Sequence, residues 1–174
     1  MSNTIVIKVS NKWLQKRFMC SYDYITKECK GGCCQGSSRL LISLLPKEEE
    51  WFMQNGRRVE NHLLCGNSRG LCPEKSNEGL CNLHRTDKKP FGCIVSPFTI
   101  NRNNTLIIRY RYSRLKCFGK GQPAYKVFKT SLDLLFGNEI SNEIATKLDN
   151  NEENIMALIS KEHYNNLIYL DGVK

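Results

Sequence analysis

No stretch of this chain approaches 18 uncharged apolar residues, which excludes a membrane-spanning helix. Its opening, "MSNTIVIKVSNKW", has one short apolar run broken by Lys8 and no small-residue cleavage site after it, so no secretory leader is read. Internal repeats and low-complexity segments are missing as well. His62, His84 and His163 have no G-x-S-x-G or other nucleophile context, and Gly119-Lys-Gly121 is too short for a phosphate loop. These absences remove the common hydrolase and nucleotide-binding classes, and they leave enzyme activity an open question. Two local absences stand out: no acidic residue between Lys88 and Leu132, and no cysteine after Cys117.

Thiol is what the chain has in excess. Nine cysteines in 174 residues without a leader predict a reducing, cytoplasmic setting, where structural disulfides are rare and clustered cysteines hold metal. "CKGGCC" at 29–34 follows Cys20 and places three thiols in six residues. A lone free cysteine is by default a small buried apolar residue; clustering defeats that default. Gly31 and Gly32 let the backbone wrap tightly enough for sulfurs to converge, as metal–sulfur bonds of about 2.3 Å require. The spacing matches neither a zinc finger nor the evenly spaced C-x2-C run of a ferredoxin.

Charge is divided unevenly. Residues 1–132 carry 23 Lys/Arg against 9 Asp/Glu, a net of +14, and residues 133–174 carry 3 against 8, a net of −5. This asymmetry predicts two parts: a cysteine-cluster metal-binding domain over 1–132, and an acidic helical C-terminal appendage over 133–174 packed on it. The expected class is α+β, a small irregular metal-stabilised domain with a few short strands and loops, followed by C-terminal helices.

The local patterns agree with that class. "TIVIKVS" alternates as a strand, and "SSRLLISLLP" reads as a buried strand running to Pro46. Pro46 suits a first helical position, Glu48, Glu49 and Glu50 suit the first turn, and Gly56 suits the C-terminal cap. Residues 57–104 read as loop, too long for a compact domain unless cross-linked by something other than secondary structure. "TLIIRYRYSRL" reads as the best strand. From Pro123 the pattern turns helical: "AYKVFKTSLDLLFG" ends at Gly137, "SNEIATKLDN" opens on Ser141-Asn-Glu143, and "EENIMALISKEHYNNLIYL" gives one or two more helices.

Between Lys88 and Leu132 ten basic residues interleave with Phe and Tyr. Strand alternation would put Arg109 and Arg111 on one face, Tyr110 and Tyr112 on the other. Arg109, Arg111, Arg114, Lys116 and Lys120 are therefore candidate phosphate contacts for nucleic acid or another polyanion, with aromatics to stack on bases. The competing readings are core tyrosines with solvated or thiolate-neutralising arginines, or a face that docks the chain's own acidic helices or an acidic protein partner.

"FMC" at 18–20, "CKGGCC" at 29–34, Cys72-Pro73, "GLCNLH" at 79–84, "KPFGC" at 89–93, Pro97-Phe98 and "CFGKG" at 117–121 together resemble the YkgJ-type cysteine-cluster proteins, described as a zinc- or iron-chelating domain. The resemblance spans about residues 18–136, and the gap between Cys20 and Cys29 is longer than in the compact form of the motif. It implies Cys20, Cys29, Cys33, Cys34, Cys72, Cys81, Cys93 and Cys117 as ligands, in two four-thiolate sites or one larger cluster. Metal ions are the implied cofactor: zinc, or alternatively an iron–sulfur cluster, since both accept four cysteines. Cys65 is left over, to pack in the core or substitute for Cys72, and His84 is either a further ligand or a neighbouring surface residue. The family carries no settled reaction. The expected function is a metal-binding protein whose metal is structural and whose basic surface binds a polyanion; the alternative is an iron–sulfur-dependent redox or modifying enzyme.

Overall fold

Alternating exposure along Thr4–Val9 makes strand β1, the first element of a computed structural model that describes residues 2–34 and 40–171. It is followed by α1 (Asn11–Leu14), β2 (Arg17–Phe18) and α2 (Tyr22–Tyr24), which continues as a π-helical turn over Ile25–Cys29. A 3-10 turn (Gly32–Cys34), β3 (Leu40–Ser43), α3 (Pro46–Gln54), β4 (Val59–Glu60) and β5 (Leu63–Cys65) come next. After a long loop the chain forms α4 (Phe91–Val95), β6 (Phe98–Ile100), β7 (Thr105–Ile108), a 3-10 turn (Tyr110–Arg114) and β8 (Gln122–Pro123). It ends in α5 (Ala124–Val127), α6 (Lys129–Phe136), α7 (Asn138–Asp149), β9 (Ile155–Ser160) and α8 (Lys161–Asp171). The class is α+β, and no helix among the described residues is long and apolar enough to cross a membrane.

Two compact units divide the chain: Met1–Met19 with Val95–Lys174, and Cys20–Ile94. The first is built on a four-stranded sheet in the order β6-β7-β1-β9. Strand β9 runs antiparallel to β1 from Thr4↔Ser160 to Val9↔Ile155, and β7 runs parallel to β1. Strands β6 and β7 form a hairpin whose turn is closed by Asn101 Oδ1, which accepts from the N–H groups of Asn103 (2.9 Å) and Thr105 (3.1 Å). Ile7, Val9, Leu106, Ile108, Ile155 and Ile159 are buried, and Leu132, Leu135, Ile144, Leu148 and Leu167 from α6, α7 and α8 complete this core.

Four sequence-based expectations fail here for identifiable reasons. Residues 155–160 form a strand, not a helix, with Ile155, Ala157 and Ile159 buried and Met156 and Leu158 exposed. Pairing with β1 along six residues overrides the helix-forming Met, Ala and Leu. The segment 133–174 is consequently no helical appendage: its strand belongs to the same sheet as residues 4–9, and the division of the chain falls at Cys20 and Val95 instead of at 132/133. Helix α7 starts at Asn138, with Ser141 inside it and buried, because the Ser141 N–H donates to Gly137 O at 3.0 Å and leaves Gly137 as the cap. Finally, "TLIIRYRYSRL" is strand only to Ile108; Tyr112 N–H donates back to Arg109 O at 3.0 Å and closes a turn that buries the Tyr112 ring.

The second unit holds the antiparallel sheet β3-β5-β4 and helix α3. Pro46 occupies the start of α3 as the sequence predicts. At its end Gly56 N–H donates to Met53 O (3.1 Å) and Arg57 N–H to Phe52 O (2.9 Å), which satisfies two of the last carbonyls. The part of the expected strand at Ser37, Ser38 and Arg39 lies outside the described residues. The apolar cluster is small: Leu44, Phe52 and Leu64, with Ile42, Trp51, Val59, Cys72 and Leu83 packed against it half-buried. The loop expected over 57–104 is interrupted by β4, β5, α4 and β6, but residues 66–90 are turns and short bridges such as Lys75↔Cys81.

A strand at 155–160 makes a prediction that a helix would not. Ile159→Ala, at a position with no exposed surface, should cost about 3 kcal/mol in urea unfolding, while Leu158→Ala next to it, 45% exposed, should cost less than about 1 kcal/mol. Equal losses at the two positions would contradict the strand.

Candidate metal centre

Ser21 caps α2 by accepting from Tyr24 N–H at 3.2 Å, and the π-helical turn that follows delivers Cys29 to a chain reversal at Lys30 and Gly31, both at positive φ. Beyond the reversal, Cys34 N–H donates to Gly31 O (2.9 Å), and Gly32 N–H donates to the Cys29 sulfur (3.2 Å). A second loop runs from Cys72 to Cys81. Ser76 N–H donates to Leu80 O (2.8 Å), Gly79 N–H to Ser76 O (3.0 Å), and Asn82 N–H to Glu74 O (2.8 Å).

The two loops touch backbone to backbone. A Cβ on Gly31 would stand 2.5 Å from Gly79 O, and a Cβ on Gly79 would stand 2.5 Å from the Lys30 carbonyl carbon. Both glycines also hold positive φ, so any side chain is excluded twice over. Cys72 N–H donates to Cys34 O at 3.2 Å and completes the contact.

The third carrier of sulfur, α4 with Cys93, is tied to α3. Glu48 at the start of α3 accepts from Leu45 N–H (2.8 Å) with one oxygen and from Phe91 N–H (2.6 Å) with the other. Burial pushes the Glu48 carboxyl up, and these two backbone donors oppose the shift. Glu74, two residues after Cys72 and 8% exposed, pairs with Arg57 Nε at 2.6 Å, which ties the second loop to the end of α3.

Seven thiols form one connected set, each within electrostatic reach of at least one other. The Cys33 and Cys34 sulfurs are 4.0 Å apart. Burial pushes the Cys93 thiol up to about 12, with Cys72, Cys81 and Cys33 adding to it. Desolvation pushes Cys20 up to about 11, helped by Cys33 and Cys29. The Cys34 thiol is raised by its hydrogen bond with Cys33, by burial, and by Cys93 and Cys72. Cys72 is raised by burial first, then by Cys81 and Glu74, while the Glu74 N–H and Lys75 oppose. Thiolates this close disfavour each other's ionisation unless a cation stands among them.

Lys89 is the cation that lowers both Cys20 and Cys93. Its ammonium lies 3.1 Å from His84 Nδ1, and Lys89, more than burial or Arg85, holds the His84 pKa down. His84 is exposed and its Nδ1 is engaged by Lys89, so it sits beside the cluster as an acceptor for this lysine.

The donor set suits a soft cation in kind and number. Two sulfurs on one tetrahedral zinc are about 3.8 Å apart, given zinc–sulfur bonds of about 2.3 Å, and the Cys33–Cys34 separation is 4.0 Å. Yet among the described residues no three Cys, His, Asp or Glu side chains are gathered as a ligand set. The backbone places the donors in one region without closing them on a point. One staggered step about χ1 carries a cysteine sulfur about 3 Å with no movement of the chain.

The remaining predicted site residues are placed differently. Cys117 lies in the first unit, buried at 6% exposure, its carbonyl accepting from Met19 N–H at 2.9 Å. Cys65 is buried in β5, its thiol directed to Leu63 O at 3.9 Å, which fits core packing, one of the two roles expected of it. Arg109 is not a surface phosphate contact. Its side chain is 13% exposed, and it donates to Asp171 Oδ1 (3.0 Å) and Ser96 Oγ (3.0 Å). Arg111, Arg114, Lys116 and Lys120 are exposed, in a turn and the loop after it, not along a strand face. Sequence reasoning missed the roles of Lys89, Gly79, Glu48 and the Arg57–Glu74 pair. Lys89 and Gly79 do stand in the motif segments at 79–84 and 89–93; for Arg57 and Glu74 nothing local marks the pairing.

No family model, curated protein or solved structure matches the chain, so the resemblance to the YkgJ-type proteins stands on its residues.

The loop contact has a direct test. Gly79→Ala should cost about 2–4 kcal/mol, because positive φ and a backbone clash act together. Gly56→Ala, at φ +73 with nothing within 4 Å of its Cβ, should cost only about 1 kcal/mol. Chemical denaturation of the two variants gives the comparison, and equal costs would show that the loops are not pressed together.

Proposed function

We propose that residues 20–94 are a metal-binding unit in which Cys20, Cys29, Cys33, Cys34, Cys72, Cys81 and Cys93 supply thiolates, and that the metal holds the unit's loops in place. Zinc is the first candidate and an iron–sulfur cluster the second, on the same donor chemistry. The observation that carries this reading is a mismatch between sulfur and core. Among the described residues, 5 of the 28 buried hydrophobic side chains fall in residues 20–94, namely Leu44, Phe52, Leu64, Cys65 and Phe91, whereas seven thiols linked neighbour to neighbour do.

Apolar burial on that scale leaves a unit of this length marginal, and small domains in that position use disulfides or metal. None of the nine cysteines, all of them among the described residues, is joined in a disulfide. A structural zinc contributes on the order of 10 kcal/mol or more, against a net stability of about 5–15 kcal/mol for a whole domain. A dication among the sulfurs also reverses the electrostatics, because thiolates that repel one another are each attracted to it. Binding must then displace thiol protons, and affinity rises with pH. The YkgJ-type resemblance supports the same assignment, and a reducing compartment such as the cytoplasm would keep the thiols available.

Purification without oxygen, followed by elemental analysis and an absorption spectrum, separates the alternatives. A colourless protein with stoichiometric zinc is expected; a brown one absorbing near about 400 nm would identify iron–sulfur chemistry and bring forward the redox-enzyme reading. Cys81→Ser and Cys93→Ser should lower the metal content while Cys65→Ser leaves it unchanged. Stripping with chelator should release hydrogen-exchange protection across residues 20–94, and metal added back in unbuffered solution should acidify it. A metal-free preparation with unaltered exchange and melting temperature would overturn the proposal.

A further inference from the structure

The turn at Tyr110–Arg114, in the first unit, presents an aromatic ring and a set of cations that the metal reading does not use. Tyr112 is buried and anchors the turn, while Tyr110 is 68% exposed. Ser113 Oγ donates to Tyr110 O at 2.7 Å and holds the backbone beneath the ring. The Arg114 guanidinium lies over the Tyr110 ring, 5.7 Å from its centroid, and the residue remains largely exposed.

The chain then runs through exposed Lys116 and Lys120, with Phe118 pinned edge-on to Phe18 at 5.4 Å. Gly119 N–H donates to Arg17 O (2.8 Å), and Arg17 Nε donates to Gly121 O (2.6 Å), which sets Arg17 beside the loop that carries Lys120. Four of this unit's eight carboxylates are paired among the described residues: Asp133 with Lys129, Glu143 with Lys147, Asp149 with Lys126, and Asp171 with Arg109 at the start of the turn. Among the described residues Arg114 and Lys120 have no ion pair. Those two side chains therefore contribute positive charge to this surface.

We propose that this surface, made of Tyr110, Arg111, Arg114, Lys116, Lys120 and Arg17, binds single-stranded nucleic acid, with a base stacked on the exposed Tyr110 and phosphates against the cations. Stacking needs a base whose face is free, which a strand offers and a duplex does not. A polyanion without bases can engage the cations but has nothing for the ring.

Fluorescence anisotropy on the full chain with short labelled oligothymidylate and oligouridylate, a duplex of equal length, and heparin tests this between about 50 and about 200 mM salt. The strands should bind about tenfold tighter than the duplex. Tyr110→Ala should weaken binding by about tenfold or more, and Tyr110→Phe should retain it. Lys120→Ala should weaken strands of any sequence and reduce the salt slope by about 0.7. Tyr110 is exposed, so these variants should keep the fold, and far-UV circular dichroism verifies that. Duplex or heparin bound as tightly as the strands, Tyr110→Ala binding like the unaltered chain, or no binding at the lowest salt would each overturn the proposal. None of these outcomes depends on metal content, which is read separately.

Discussion

The contact of Lys30–Gly31 with Gly79 brings together two backbone segments that between them carry five of the clustered sulfurs. At that contact there is room for hydrogen and for nothing larger. Such approach has a thermodynamic cost, since glycine loses more conformational freedom on folding than any other residue, and two loops held by main-chain contacts bury little apolar surface in return. The cost is then compounded, because the same approach crowds thiols whose ionisation each neighbour opposes. Both penalties fall in one place, and a cation among the sulfurs would reverse the second.

Polar ties do what a larger core would do elsewhere. Glu48 joins the start of α3 to the start of α4, and Arg57 with Glu74 joins the end of α3 to the Cys72 loop. One nine-residue helix thereby positions two of the sulfur-bearing segments from its two ends. Lys89 contributes a positive charge at the edge of the cluster and is itself held by His84. The first unit follows the opposite economy: a four-stranded sheet, the helices α6, α7 and α8 that cover it, and most of the buried hydrophobic side chains. Asp133, Glu143 and Asp149 pair there with lysines, and Asp171 pairs with Arg109.

Legibility in the sequence followed the range of the interactions involved. Helix α3 was legible from Pro46 and Gly56, and β1 from its alternation, because both patterns are set by neighbours along the chain. The strand at 155–160 was not, since its partner lies some 150 residues away in sequence and its own residues fit either period. Arg109 misled for a similar reason: nothing near it in the chain announces Asp171. Of the eight cysteines grouped by motif, seven fall in one unit and Cys117 in the other, a division that spacing alone does not express.

By itself the sequence determined the chemistry: nine thiols, three of them around a double glycine, a basic aromatic stretch, and local helices and strands enough for an α+β class. Composition and short-range pattern suffice for that, because they act through donor type and through backbone geometry over a few residues. Tertiary structure alone decided which thiols share a neighbourhood, which arginine is consumed by an internal carboxylate, and that the C-terminal segment supplies a strand to the N-terminal sheet. Those outcomes depend on contacts between residues far apart in the chain, where loop closure and exclusion of volume select the partner and no local pattern records the choice.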